Sequence, residues 1–151
     1  MGLLVIFLGV LSSLFGTAMD IQLSSQSTNG TATDATYILS RLTYDIERAQ
    51  SISTPSTLGQ TTTSLVLSIG GINYTYAVDS GGNLTYTNNL GTFNLNSYLS
   101  GISSMTFTRI GNSGGTEPTV RIDITVLSNI VQPKGKESQH FTTTVALHKN
   151  Q

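Results

Sequence analysis

The chain has 151 residues, a formal net charge of −1 and only 10% charged residues. Its seven lysine and arginine residues are scattered, so the sequence carries no basic patch of the kind that binds nucleic acid or an anionic surface. The absence of cysteine excludes disulfides and thiolate chemistry, while an oxidising compartment stays possible. The length allows one modest domain and one additional element.

The first nineteen residues contain no charged side chain, and Asp20 follows them. As an α-helix they would extend about 28 Å at about 1.5 Å per residue, close to the roughly 30 Å of hydrocarbon in a bilayer. A secretory signal would carry a basic residue before the apolar run, which is absent here, although Gly16-Thr17-Ala18 would serve as a cleavage site. We therefore predict a transmembrane or filament-core helix over residues 1–19, with a cleaved signal and a buried core helix as alternatives.

The large apolar side chains of this segment are the predicted membrane-contacting and filament-packing residues. Small residues four apart, Gly9 with Ser13 and Ser12 with Gly16, would let neighbouring helices approach closely. The predicted packing residues are Leu3, Leu4, Val5, Ile6, Phe7, Leu8, Val10, Leu11, Leu14 and Phe15.

A second helical period begins after the polar stretch of residues 20–33 and is predicted to run to about residue 52, before Pro55. We expect a bend or break at Asn29-Gly30, because glycine costs about 1 kcal/mol relative to alanine inside a helix. Arg41, Asp45 and Arg48 have ion-pair spacing and are assigned to the side opposite the apolar stripe. The residues predicted to pack on a sheet are Ile38, Leu39, Leu42, Ile46 and Ala49, with Ala35 on the same stripe.

From Ser64 onward the period of the apolar residues changes to two, which is typical of strands. Gly70-Gly71 joins the first two strands, and Asp79–Asn83 reads as a turn rather than a calcium loop. The connections are short, so the strands must be largely antiparallel. We predict an α+β fold in which a long helix, apolar in its first half and amphipathic in its second, covers a mostly antiparallel sheet of about six strands. The strands are expected near residues 65–69, 72–78, 84–87, 104–109, 120–126 and 141–147, and residues 20–151 form the predicted globular domain.

Four stretches resemble, in order, the type IV pilin family, and in particular minor pilins of the J-type pseudopilin group. They are SRLTYDIERAQSI (Ser40–Ile52), SLVLSIGGINYTYAV, YLSGISSMTFTRI and HFTTTVALHKN. The resemblance implies a pilin-like fold and a structural subunit of a type IV pilus, a DNA-uptake filament or a type II secretion filament. It also implies other pilin or pseudopilin subunits, a prepilin peptidase and an assembly platform as partners.

The resemblance further implies a single-pass protein of the cytoplasmic membrane, with its C-terminal domain outside, that later enters an extracytoplasmic filament. Membrane lipid would cover the apolar helix before assembly, and identical helices would cover it afterwards. At roughly 25 cal/mol per Å² of apolar area, either burial is worth tens of kcal/mol. The sequence leaves open which filament system is involved and whether the subunit lies at the tip or in the shaft.

The family normally carries a glycine before a cleavage point and a glutamate at mature position five, where this sequence has Val5. Three explanations compete: Met1 is the first residue of a minor subunit that lacks the glutamate, about nine upstream residues are missing, or the resemblance misleads. We expect the second, because the middle of an apolar helix fits Met1–Leu4 well.

The sequence gives little support for a catalytic, metal-binding or cofactor-binding site. His140 and His148 do not have the spacing of zinc ligands, and no nucleophile motif or phosphate-binding loop is present. We therefore expect no enzymatic activity, cofactor, metal or nucleic-acid partner. Asn29, Asn73 and Asn83 each begin an Asn-x-Thr triplet, and their glycosylation is left open. The alternative to a pilin is a secreted or membrane-anchored β-rich binding module, such as an adhesin.

Overall fold

The computed structural model describes residues 2–111, 118–132 and 135–148, with side chains described from Phe7 onward. In these ranges one long helix is followed by nine strands in two antiparallel sheets, which confirms the predicted α+β class. The elements are α1 (Gly2–Glu47), β1 (Ser51–Thr54), β2 (Thr61–Thr62), β3 (Ser64–Ile69), β4 (Ile72–Val78), β5 (Leu84–Asn88), β6 (Gly91–Asn94), β7 (Ser100–Ile110), β8 (Thr119–Gln132) and β9 (Gly135–Ala146).

The strands form a five-stranded sheet of order β1-β3-β4-β5-β6 and a four-stranded sheet of order β2-β7-β8-β9. The six predicted strands correspond to β3, β4, β5, β7, β8 and β9. The additional strands β1, β2 and β6 have only two to four residues, too few for an alternating pattern to be recognised. The expectation of a single sheet of six strands was therefore wrong in the number of strands and of sheets.

The β8–β9 hairpin is longer than the sequence predicted. The sequence predicts strands near residues 120–126 and 141–147, yet β8 extends to Gln132 and β9 already begins at Gly135. Val131 pairs with Lys136, and Gln132 with Gly135. Polar residues are tolerated here because the cross-strand backbone hydrogen bonds do not depend on side-chain type.

The helix ends earlier than predicted, at Glu47 rather than near residue 52. Ala49 and Ile52 are buried, as their place in the apolar period suggested, but Ala49 lies in the turn after the helix and Ile52 on β1. A helix cannot easily continue toward Pro55, because the residue before a proline avoids the helical conformation. The assignment of Ala49 to the packed face of the helix is corrected accordingly.

The helix continues through Asn29-Gly30, where a bend or break was expected. A side chain at Gly30 would meet Leu99, since the position of its Cβ lies 3.6 Å from the Leu99 Cβ. This is an ordinary van der Waals distance, so the packing of the helix against the segment before β7 does not itself require glycine at this position. Tertiary packing outweighs the low helix propensity of glycine at this position.

The helix packs mainly on β8 and β9 of the four-stranded sheet and also contacts β3 and β7. Ile38, Leu42 and Ile46 are fully buried, and Leu39 is half-buried at the edge of the same stripe. One continuous core joins this stripe to both sheets. The largest fully buried sheet residues in it are Tyr76, Phe107, Leu65, Leu67, Leu84, Ile122 and Ile124.

Truncation of this stripe should destabilise the fold strongly. We expect Leu42→Ala to lower the free energy of unfolding by about 2–5 kcal/mol, because it removes buried methyl groups and leaves a cavity. Tyr37→Ala is the matched control, since Tyr37 lies on the same helix and is 54% exposed, and it should change the same quantity by less than about 0.5 kcal/mol. Denaturant unfolding of the detergent-solubilised full chain by circular dichroism measures both, and equal losses would contradict this packing.

Candidate functional site

The helix extends beyond the sheets as a bare apolar segment. Every residue from Phe7 to Gln22, called the projecting segment below, is exposed. The helix is long and apolar enough to span a membrane. Soluble monomers rarely leave so large a contiguous apolar surface in water, and such a surface is typical of a segment that contacts lipid or another protein.

The predicted packing residues of the projecting segment are among its most exposed large side chains. Their exposure ranges from 40% for Leu11 to 70% for Phe15, and Met19 and Ile21 continue the same surface past residue 19. The exposed members of the predicted set are Phe7, Leu8, Val10, Leu11, Leu14 and Phe15. The side chains of Leu3, Leu4, Val5 and Ile6 lie outside the part of the chain whose side chains the structure describes.

Bulky and small residues occupy opposite sides of the projecting segment. At about 100° per residue, the large apolar side chains cover one side and Gly9, Ser12, Ser13 and Gly16 cluster on the other. The Ser13 hydroxyl donates to the Val10 carbonyl at 3.0 Å, and Thr17 donates to the Ser13 carbonyl at 3.0 Å. These hydroxyls are satisfied within the helix, which suits them to an apolar surrounding.

Three acidic side chains fasten the rest of the helix to the body, and we call them the first, second and third anchors. In the first anchor, the Thr28 hydroxyl lies 2.9 and 2.8 Å from the two carboxylate oxygens of Glu137 on β9, and Gln139 donates to the same carboxylate at 3.1 Å. The buried Ser27 Oγ and Gln132 Nε2 have no well-aligned partner among the described residues. The hydrogen bond from Thr28, followed by that from Gln139, lowers the pKa of Glu137.

The second anchor is Asp34, near the middle of the packed half of the helix. Its Oδ2 accepts hydrogen bonds from the Ser97 backbone N–H at 3.0 Å, the Ser97 hydroxyl at 2.7 Å and the Ser100 hydroxyl at 2.5 Å. These bonds fix the start of β7 against the helix, next to the place where Leu99 faces Gly30.

The third anchor is Asp45, which is fully buried rather than on the solvent side as predicted. Its Oδ2 accepts a hydrogen bond from the Tyr76 hydroxyl and one from Arg41 Nε at 2.7 Å. Arg48 Nη2 lies 2.7 Å from Oδ1, a close charge contact without hydrogen-bond alignment. The predicted ion pairs of Asp45 with Arg41 and Arg48 are confirmed, but the prediction that Asp45 lies opposite the apolar stripe is wrong. Asp45 is seven residues after Ile38 and therefore lies on the same side of the helix.

The third anchor changes the properties of the groups around it. Burial raises the pKa of Tyr76, and its hydrogen bond to the Asp45 carboxylate raises that pKa further. The guanidinium of Arg41 lies 5.4 Å from the centre of the Tyr86 ring, and that of Arg48 lies 4.6 Å from the Tyr44 ring. The buried carboxylate is therefore enclosed by two cations whose outer sides rest on aromatic rings.

The remaining residues singled out in the sequence do not converge on a site. The described residues contain no group of three His, Cys, Asp or Glu side chains that could hold a metal ion. Asp79 forms the predicted turn, since its Oδ1 accepts from the Gly81 and Asn83 backbone N–H groups at 2.8 Å. Asn29 and Asn73 are exposed, whereas the Asn83 carboxamide donates to Asp79.

Comparison of the chain with protein-family models, with curated proteins and with solved structures gives no match.

The third anchor predicts a loss of stability at alkaline pH. The pKa of Tyr76 is higher in the folded chain than its unfolded value of about 10, so its contribution is complete below about pH 10 and is lost as the pH rises further. The unfolding midpoint of the native chain should fall more steeply above this pH than that of Tyr76→Phe. Thermal melts at a series of pH values measure both slopes, and parallel curves would contradict the buried hydrogen bond.

The first anchor predicts the opposite dependence at acidic pH. The pKa of Glu137 is lowered by folding, so its contribution is present above the unfolded value of about 4.3 and is lost as the pH falls below it. Glu137→Gln keeps the shape of the side chain and removes this titration. The difference in melting temperature between the two chains should shrink on acidification, and a constant difference from pH 6 to pH 3 would count against the anchor.

Proposed function

We propose that this chain is a structural subunit, a minor pilin or pseudopilin, of a type IV pilus, DNA-uptake filament or type II secretion filament. The observation that carries the proposal is a single helix that is bare and apolar at one end and packed on antiparallel sheets at the other. Before assembly the projecting segment lies in the cytoplasmic membrane, with the body outside. After extraction the same surface is covered by the helices of other subunits.

The surface of the projecting segment is compatible both with lipid and with the helices of other subunits. Its bulky side suits lipid tails, and its small side, around Gly9 and Ser13, leaves room for another helix to approach closely. The Ser13 and Thr17 hydroxyls are bonded to the helix backbone, so neither environment leaves them without a partner. The hydrophobic free energy of tens of kcal/mol far exceeds what the exposed ion pairs of the body supply.

The second candidate is a secreted or membrane-anchored β-rich binding module, for which the N-terminal helix is a signal or a plain anchor. The observation that favours it lies at the far edge of the five-stranded sheet, where Leu90 is 80% exposed and Phe93 is 42% exposed. The Phe93 ring stacks on Tyr86, with ring centroids 5.1 Å apart, and its exposed part and Leu90 offer an apolar contact on the body itself.

Mass spectrometry of the protein purified from its native cells separates the two candidates. The pilin proposal predicts a mature chain that retains the projecting segment and begins with an N-methylated residue in the apolar run or in an upstream extension of it. A secreted module with a cleaved signal predicts a mature N-terminus near Asp20. Finding only this shortened form would contradict the pilin proposal.

Cysteine cross-linking tests assembly directly, because the native chain has no cysteine. We expect Ser13→Cys, on the small side of the projecting segment, to form disulfide-linked dimers in cells that make the filament. Thr144→Cys is the matched control, since Thr144 is exposed on the body. Dimers of the control alone, or monomers only in both variants, would count against helix-to-helix packing.

A further inference from the structure

The last two described pairs of the β8–β9 hairpin, Val131–Lys136 and Gln132–Gly135, lie close to the residue at which the projecting segment meets the body, and we call these pairs the hairpin end. Strand β9 runs alongside the helix in the same direction, since Glu137 contacts Thr28 near its start and the His148 backbone N–H donates to the Glu47 carbonyl at 3.2 Å beyond its end. Gly135 and Lys136, which precede Glu137 on β9, are therefore displaced toward the projecting segment. The first anchor fixes this arrangement.

The position of the hairpin end along the helix axis follows from the rise per residue of a strand and of a helix. A strand advances about 3.3 Å per residue and a helix about 1.5 Å, so one strand residue matches about two helix residues. Glu137 is level with Thr28 of the helix. Lys136 precedes Glu137 by one residue, so the Val131–Lys136 pair is level with about residue 26 of the helix. By the same count the Gln132–Gly135 pair is level with about residue 24. Measured from Ile21, the last large exposed apolar residue of the projecting segment, these levels are about 4 to 8 Å higher.

That height coincides with the headgroup layer of a membrane. Hydrocarbon occupies about 30 Å of a bilayer that is about 40–45 Å thick, which leaves about 5–7 Å of headgroup region on each side. A helix embedded as far as Ile21, two residues beyond the predicted segment of residues 1–19, holds the Asp20 carboxylate at the edge of the hydrocarbon. It brings the hairpin end into the headgroup layer or to its outer margin. A lysine near this level extends its flexible stem and places its ammonium at the lipid phosphates.

Two side chains at the hairpin end are exposed on one face of the sheet. Val131 is 70% exposed and Lys136 is exposed, and the two are direct cross-strand neighbours on one face of the sheet. Glu137 points to the opposite face, toward the helix, because successive strand residues alternate. An apolar side chain beside an ammonium group suits the boundary between lipid and water.

We infer that the end of the β8–β9 hairpin contacts phospholipid headgroups when the projecting segment is embedded, with the Lys136 ammonium at a lipid phosphate and Val131 beside it. This inference rests on the membrane stage of the proposed function. The contact arises from the position of the hairpin and needs no basic patch, so it is expected on zwitterionic phosphatidylcholine. With the helix it gives the body a second point of attachment, which sets its orientation on the membrane.

The test uses the full chain in phosphatidylcholine vesicles, with one cysteine introduced at a time and labelled with a fluorophore. Leu14→Cys reports on insertion of the helix, and Val131→Cys reports on the hairpin. Thr144→Cys is the matched control, because Thr144 is exposed on the outward face of the same strand near its other end. Each label is quenched by aqueous iodide and, separately, by a nitroxide on the lipid headgroup, and circular dichroism verifies that each variant folds.

We expect Leu14→Cys to be shielded from iodide and Val131→Cys to be quenched by the headgroup nitroxide several-fold more than Thr144→Cys. Equal nitroxide quenching at 131 and 144 with a shielded Leu14→Cys would overturn the hairpin contact and leave the membrane helix standing. An unshielded Leu14→Cys would overturn the membrane stage of the proposed function, and the hairpin contact with it.

Discussion

The packing of one apolar stripe of the helix on two sheets is the interaction on which the rest of the structure depends. Ile38, Leu42 and Ile46 are fully buried in a core that continues into both sheets, and their burial fixes the direction of the whole helix. The projecting segment, at the other end of the same helix, has no sheet to cover it. An apolar surface of this size must find its cover outside the chain, and this requirement connects the fold to the proposed function.

Three polar anchors add hydrogen bonds and ion pairs to the hydrophobic packing between the helix and the body. The carboxylates of Glu137, Asp34 and Asp45 bind the helix to the body near the start, the middle and the end of its packed half. Among the described residues, the first two accept hydrogen bonds from neutral donors, and the third is buried between two arginines and a tyrosine. Asp45 is fully buried whereas the side chains of Arg41 and Arg48 are 32% and 36% exposed, so the loss of either arginine would leave the buried carboxylate with less of the charge that balances it.

Much of the fold could be predicted from periodicity, and the errors have physical causes. The apolar stripe and six strands were recognisable because burial on one face imposes a period of 3.6 or 2. The helix end was not, because Ala49 and Ile52 keep the helical spacing although one lies in a turn and the other on a strand. A seven-residue count from Ile38 would have placed Asp45 on the buried face. The partnership of Thr28 with Glu137 joins residues more than a hundred positions apart and left no local signal.

The central claim is that the projecting segment and the packed half form one continuous helix, so that the covered and the bare surfaces move as a unit. Amide hydrogen exchange of the full chain in lipid vesicles tests it most directly, because it reports the helix residue by residue. We predict protection that runs without interruption from the projecting segment through Asn29-Gly30 to the end of the helix. Rapid exchange confined to the residues around Asn29-Gly30, with protection on both sides, would contradict the claim.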